Sequence, residues 1–278
     1  MPAPYVPAKE EVAQFYDQAI PMITRLVGVN VHVGYWDSPE DTSSVQEATD
    51  RLTDLMTARL RLSPGQRVLD VGCGLGAPAL RLAAATGAHV VGIATSPNLV
   101  KAATAAAEDA GLDGQVRFEV ADAAELPYPP SAFDAVLAIE SLVHMSDRPK
   151  VFSEIARVLR PGGRLSLTDC VEKVAPTESE RAIVESYRRF ALNSPLLRLG
   201  EYLDLLSESG LLPLEYLDIT AETARHQVHM MAQVERQSAE LTELYGPEMV
   251  AAYKAVFEGV LEAGVPVYML VTAERAKD

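Results

Sequence analysis

Two hydrophobic rhythms run along the chain, and the change from one to the other marks its parts. Residues 8–60 carry apolar positions at helical spacing, with a break from Gly28 to Pro39. In the second part of that stretch Val45, Ala48, Leu52, Leu55 and Met56 recur at helical spacing, which predicts one apolar helix face. Ser63-Pro64-Gly65-Gln66 then punctuates the chain. Beyond it, strands are predicted at 67–71, 89–94, 115–120, 133–139 and 164–169, and helices at 77–86, 97–110 and 147–159. The runs Ala88-His89-Val90-Val91-Gly92-Ile93 and Ala135-Val136-Leu137-Ala138-Ile139 are nearly unbroken apolar stretches, as strands covered on both faces require. Strand and helix alternating at this period predict βαβ units, hence an α/β fold with a parallel sheet between helices.

Arg160-Pro161-Gly162-Gly163 reads as a helix stop and turn, and the pattern loosens after the strand that follows. Residues 176–198 and 199–210 read as helical, Leu212 to Thr220 as a strand, 221–262 as helical again, and Val265 to Glu274 as a last strand. Helical insertions beside an α/β core predict a lid over the ligand edge. The expected division is a helical cap at 1–62 and a cofactor-binding core at 63–175. Lid insertions at 176–263 then enclose a helix and a strand of the core, and the final strand lies at 264–278.

Composition narrows the function. With 48% hydrophobic and 23% charged residues the chain is an ordinary globular protein. A net charge of −15 repels phosphate backbones, so no nucleic-acid partner is expected. No apolar run is long enough to span a membrane and no leader core is visible, so a cytoplasmic location is expected. Cys73 and Cys170 are expected to be reduced, buried thiols. No Cys, His and Asp set has metal-ligand spacing, so no metal is predicted. Ser141 lacks a G-x-S-x-G setting and does not suggest hydrolase chemistry.

The chemistry concentrates in Asp70-Val71-Gly72-Cys73-Gly74-Leu75-Gly76, which runs off the first strand into a helix. Glycines let the backbone turn sharply and approach a ligand, while the helix start offers free N–H donors. The G-x-G-x-G spacing differs from that of dinucleotide loops, and Ala94-Thr95-Ser96 ends the second strand without the acid that would grip an NAD ribose. A dinucleotide site or a plain packing loop are the other readings of this segment.

The loop resembles motif I of the class I S-adenosylmethionine-dependent methyltransferases. Val120-Ala121-Asp122-Ala123, Phe133-Asp134-Ala135-Val136 and Val158-Leu159-Arg160-Pro161-Gly162-Gly163 resemble its companion motifs, in order. Tyr16-Asp17, His32-Val33-Gly34-Tyr35-Trp36 and Ala48-Thr49-Asp50-Arg51-Leu52-Thr53 extend the likeness to actinobacterial natural-product tailoring enzymes, the rebeccamycin sugar O-methyltransferase group. The resemblance implies a Rossmann-like sheet of seven strands with the last one antiparallel. It implies S-adenosyl-L-methionine as cofactor and S-adenosyl-L-homocysteine as product, with a small natural-product acceptor. Gly72, Gly74 and Gly76 would pass under the methionine part, with Asp70 near its ammonium group. Asp122 would accept from the adenine amine, and the Ala123 amide would donate to the ring. With no acid at the end of the second strand, the ribose would fall to Thr95, backbone or water. Tyr16 and Trp36 would face the sulfonium; the plainer reading of both is core packing.

Glu140 to Met145 carries the acid–base candidates. Were it helical, Glu140 and His144 would share a face, and Glu140 is counted with the cofactor-binding residues. His144 is the candidate base for a hydroxyl nucleophile, or else a structural histidine. Asp169, ending the fifth strand, would orient it, bind substrate, or only cap a turn. The rebeccamycin-type enzymes carry two adjacent histidines here, whereas this chain has Val143 before His144. His226 and His229, with Met230 and Met231, read as a substrate-facing lid surface or as solvent-facing positions. Tyr187, Phe190, Leu196, Leu197, Tyr202, Tyr245, Tyr253 and Phe257 offer further lid candidates for an apolar pocket. Methylation of a hydroxyl leads the readings. Methylation of nitrogen or carbon, cyclisation on the same fold without methyl transfer, and a non-catalytic binding module are the alternatives. The oligomeric state is open, a homodimer among the options.

Overall fold

In a computed structural model, which describes residues 5–277, the two rhythms fold into one sheet and its coverings. The cap is two helices, α1 (Lys9–Val27) and α2 (Val45–Leu60). The core adds β1 (Arg67–Val71), α3 (Ala77–Thr86), β2 (His89–Ala94), α4 (Pro97–Asp109), β3 (Val116–Val120), β4 (Phe133–Ile139), α5 (Arg148–Val158) and β5 (Leu159–Val171). Then follow α6 (Glu178–Phe190), α7 (Leu199–Glu208), β6 (Leu211–Asp218), α8 (Thr220–Arg236), α9 (Ser238–Tyr245), α10 (Pro247–Ala263) and β7 (Val267–Arg275).

Local chemistry starts these helices where it should. Ser44 and Glu47 cap α2 reciprocally, and Thr177 and Glu180 do the same for α6. Ser96 caps α4 and Asp147 caps α5, each with a proline in the first turn. The expected helical run at 221–262 divides into three, because Gly246 at φ 82° breaks the path and Pro247 opens a new helix, while a further break falls at Gln237. The expected turn at Arg160 to Gly163 is absorbed into a 13-residue β5, where Gly162 at φ 73° accompanies a register shift against β4.

The seven strands lie in the order β3-β2-β1-β4-β5-β7-β6, with β7 antiparallel to both neighbours. Strand period two sends Leu69, Val71, Val136 and Ala138 to one face, against Phe152, Ile155 and Leu206. Val68, Ala135 and Leu137 go to the other, against Leu52, Met56, Leu82 and Ala103. A separate apolar cluster of Leu26, Met230, Val234, Tyr253 and Phe257 joins the lid helices to α1. Among the described residues no helix is long and apolar enough to cross a membrane. The strand order reverses between β1 and β4, and their carboxyl ends diverge there to leave a crevice.

Gly92 lets β2 sit close to its neighbours: a Cβ there would lie 2.4 Å from the Phe118 ring and 2.8 Å from Cys73 Cβ. Its backbone is not in the left-handed region, so the cost of Gly92→Ala is overpacking, about 1 to 3 kcal/mol. Thermal melting should show a transition several degrees below wild type, and an unchanged midpoint would refute this packing argument.

Candidate active site

The crevice is a cavity of about 240 Å³ at the carboxyl ends of β1, β2 and β4, roofed by α1. Its floor is the glycine loop, pinned by Gly72 N–H and Cys73 N–H both donating to the Ile93 carbonyl, at 2.9 and 3.0 Å. Gly72 and Gly74 line the cavity in left-handed conformations, at φ 79° and 53°. A Cβ on Gly72 would lie 2.2 Å from Ser141 Cβ, whereas one on Gly74 would meet nothing within 4 Å. Gly76 has another task and does not line the cavity, since a Cβ there would strike the Phe118 ring at 2.6 Å. Beneath the loop, Asp70 is buried, and burial pushes its carboxyl up to about 7. It lies behind the cavity wall, and its Oδ2 has no hydrogen-bond partner among the described residues. An unsatisfied buried acceptor is costly, and a cationic ammonium group over the loop would offset that cost.

Thr95, Asp122 and Ala123 also line the cavity, as a site for an adenosyl group requires. Asp122 is already engaged: Oδ1 accepts from Ala124 N–H at 2.9 Å, and Oδ2 accepts from Lys9 Nζ at 2.8 Å. Lys9 is exposed, so this ion pair is weak in water and an adenine amine can replace it. At the end of β2, where the sequence lacks a ribose acid, α1 supplies a carboxylate. Asp17 accepts from Ser96 Oγ and, at 2.8 Å, from Asn98 Nδ2. Lys9 was not legible as a cavity residue, nor Asp17 as the carboxylate behind the end of β2, because their partners lie 113 and 79 residues away.

Residues 140–145 are not an α-helix. β4 ends at Ile139, Glu140 takes a left-handed φ of 49°, and Leu142–His144 form a single 3-10 turn. Glu140 and His144 nevertheless both line this cavity and a smaller one beside it. His144 Nε2 is 2.7 Å from the Tyr16 hydroxyl, and Nδ1 is 3.0 Å from the Leu192 carbonyl. A carbonyl only accepts, so Nδ1 carries the proton and Nε2 is the free base. Asp169 therefore does not orient His144. Its Oδ1 accepts from Cys170 N–H at 2.7 Å and its Oδ2 from the Tyr202 hydroxyl at 2.9 Å, with Arg148 at 4.0 Å. It reaches the smaller cavity only as part of the wall.

Three expectations fall outside the site. Trp36 does not line the cavity. Its ring is buried against His229, 5.3 Å between centroids and nearly parallel, and its indole N–H donates to the Ser43 carbonyl at 3.0 Å. His226 accepts from Gly34 N–H at 3.2 Å, so this histidine pair fastens α8 to the cap rather than facing a substrate. Of the lid aromatics, Tyr187 lines the smaller cavity, while Tyr253 and Phe257 build the lid core.

Residues 69–167 match the family described as "Methyltransferase domain". The chain is 41% identical over 213 residues to methyltransferase GfsG of Streptomyces halstedii, covering 77% of each protein. It is 43% identical over 218 residues to the 27-O-demethylrifamycin SV methyltransferase of Amycolatopsis mediterranei, covering 78% of this chain and 79% of that one. The crystal structure of the [4+2]-cyclase SpnF superposes with a TM-score of 0.86 at 32% identity, over 99% of this chain and 98% of the other. The chain belongs to the S-adenosylmethionine-dependent methyltransferases.

Within this methyltransferase the candidate base is held neutral. Burial disfavours the imidazolium and brings His144 down from 6.5 to about 4, with Arg148 adding repulsion. Glu140 goes the other way: burial lifts its carboxyl to about 7, although Val33 N–H donates to Oε1 at 2.6 Å. Between pH 6.5 and 4 the unfolded chain takes up a proton that His144 refuses in the fold, so acidification through that window removes stability at this residue. Nitrogen NMR of the labelled protein should show His144 neutral and protonated on Nδ1 at pH 5.5. A ring that charges near pH 6.5 would contradict the buried geometry.

Proposed function

We propose that this methyltransferase methylates a hydroxyl oxygen of a small natural product in the cytoplasm. S-adenosylmethionine supplies an electrophilic methyl group on a sulfonium centre. The observation that carries the choice of oxygen is the Tyr16–His144 contact, in which a hydroxyl already sits on the free Nε2 at 2.7 Å. An acceptor hydroxyl taking the place of Tyr16 would find a base whose other nitrogen is fixed by the Leu192 carbonyl. As the new carbon–oxygen bond forms, the hydroxyl proton passes to Nε2 and the ring becomes an imidazolium. The ring's low basicity keeps it free to accept at neutral pH.

The names of relatives agree with this reading, since one of them is a 27-O-demethylrifamycin SV methyltransferase. The likeness to a [4+2]-cyclase supports a second reading, ring closure in the same cavity without methyl transfer. Incubation with methyl-labelled cofactor and a panel of hydroxylated polyketide intermediates separates the two. We expect label on a product oxygen and release of S-adenosylhomocysteine. A cyclised product with neither would overturn methylation, and label on nitrogen or carbon would overturn the choice of atom. His144→Ala should lower kcat by about 10²- to 10⁴-fold with little change in cofactor affinity; an unchanged kcat at pH 7 removes His144 as the base.

A further inference from the structure

Beside the Tyr16–His144 pair lies the smaller chamber, of about 80 Å³. It shares Tyr16, Glu140 and His144 with the larger cavity, and Tyr187, Asn193 and Tyr268 help to close it. Two of its polar side chains are deeply buried, and each has an atom that makes no close hydrogen bond. Tyr268 is 8% exposed and Asn193 is 2% exposed. Neither Tyr268 Oη nor Asn193 Oδ1 makes a close hydrogen bond among the described residues, although Glu140 faces the Tyr268 hydroxyl and Tyr187 faces the Asn193 side chain. Folded proteins pair almost all such atoms, so two orphans in one small chamber call for a ligand group.

Their chemistry says which group. An amide oxygen only accepts, while a phenol can donate. A carbonyl or ether oxygen would satisfy Tyr268 and leave Asn193 bare. An ammonium group would satisfy Asn193 and bring a charge. A hydroxyl donates to one and accepts from the other. The space, several times the roughly 10–15 Å³ that one water needs, readily holds a hydroxyl and the carbon that bears it. The chamber begins at His144, so an acceptor oxygen on Nε2 brings a substituent of the neighbouring carbon within its reach.

We propose that this chamber is the subsite for a second hydroxyl of the acceptor, next to the one that is methylated, so that the substrate is a vicinal diol read by Tyr268 and Asn193. The proposal rests on oxygen methylation at His144. Tyr268 and Asn193 are specificity residues in it and take no proton.

Calorimetric titration of the protein saturated with S-adenosylhomocysteine tests it, using methyl 3,4-dihydroxybenzoate and methyl 4-hydroxybenzoate as a matched pair. The diol should bind about tenfold more tightly, as expected for a buried hydroxyl that pairs two otherwise unsatisfied atoms. Tyr268→Phe and Asn193→Ala should each bring that ratio towards one. Tyr268→Phe removes only the hydroxyl and lies outside the larger cavity, so its affinity for S-adenosylhomocysteine should match wild type. Equal affinity for the two probes, including no binding of either at millimolar concentration, overturns the proposal. A diol preference unchanged in both variants also overturns it and leaves the chamber to ordered water. Diol preference with no methyl transfer to oxygen, under labelled cofactor, supports the subsite and defeats the oxygen-transfer reading separately.

Discussion

The neutral His144 ring, strung between a hydroxyl and a carbonyl, is the contact on which the site depends. Its three parts come from three regions of the chain. Tyr16 belongs to the cap helix, His144 to the turn that leaves β4, and Leu192 to the segment after α6. A histidine on a flexible loop would titrate near its ordinary value and sample both tautomers. Here burial removes the cation and the Leu192 carbonyl selects the tautomer, which leaves Nε2 aimed at the cavity. The candidate base is thus set up by the closed arrangement of cap, core and lid rather than by His144 alone.

The turn that carries it is secured from below. Arg148 donates to the carbonyls of Leu142 at 3.2 Å, Val143 at 3.2 Å and Pro195 at 2.8 Å. Ser194 N–H donates to the Val143 carbonyl at 2.8 Å, and Arg188 donates to the Asn193 carbonyl at 2.7 Å. Each buried guanidinium satisfies several carbonyls at once, which a neutral side chain could not do. The cap is attached differently. Lys9–Asp122 and Asp17–Asn98 lie at the surface, where such contacts stabilise weakly. The site therefore has a firm floor and a loosely fastened roof, a division suited to admitting a cofactor under α1.

Period, caps and glycine spacing made the core legible. The five parallel strands and their intervening helices follow from hydrophobic patterns that act within a few residues of each other, while the reversed last strand came from the family resemblance. Gly72, Gly74, Thr95, Asp122 and Ala123 were readable for the same reason, since a strand-loop-helix unit places its own loop at the sheet edge. Glu140 and His144 share the cavity lining, but not by way of a helix. Both face the cavities because a left-handed residue and a 3-10 turn bring them round. Trp36 shows the opposite error: an aromatic in a motif-bearing loop looked like a cofactor contact and is the buried post on which His229 stacks.

By itself, the sequence determined a seven-stranded α/β methyltransferase core, its glycine loop and the segment bearing its candidate base, because each is built from neighbours in the chain. Tertiary structure alone decided that His144 answers to Tyr16 and Leu192 and not to Asp169. It also placed Lys9 on Asp122 and Asp17 at the acid-free end of β2, and gathered Tyr187, Asn193 and Tyr268 around one chamber. The physical reason is common to all of these. Hydrogen bonds and burial act over a few ångströms in space, and the groups involved are separated by 48 to 128 residues of chain in the contacts that define the base.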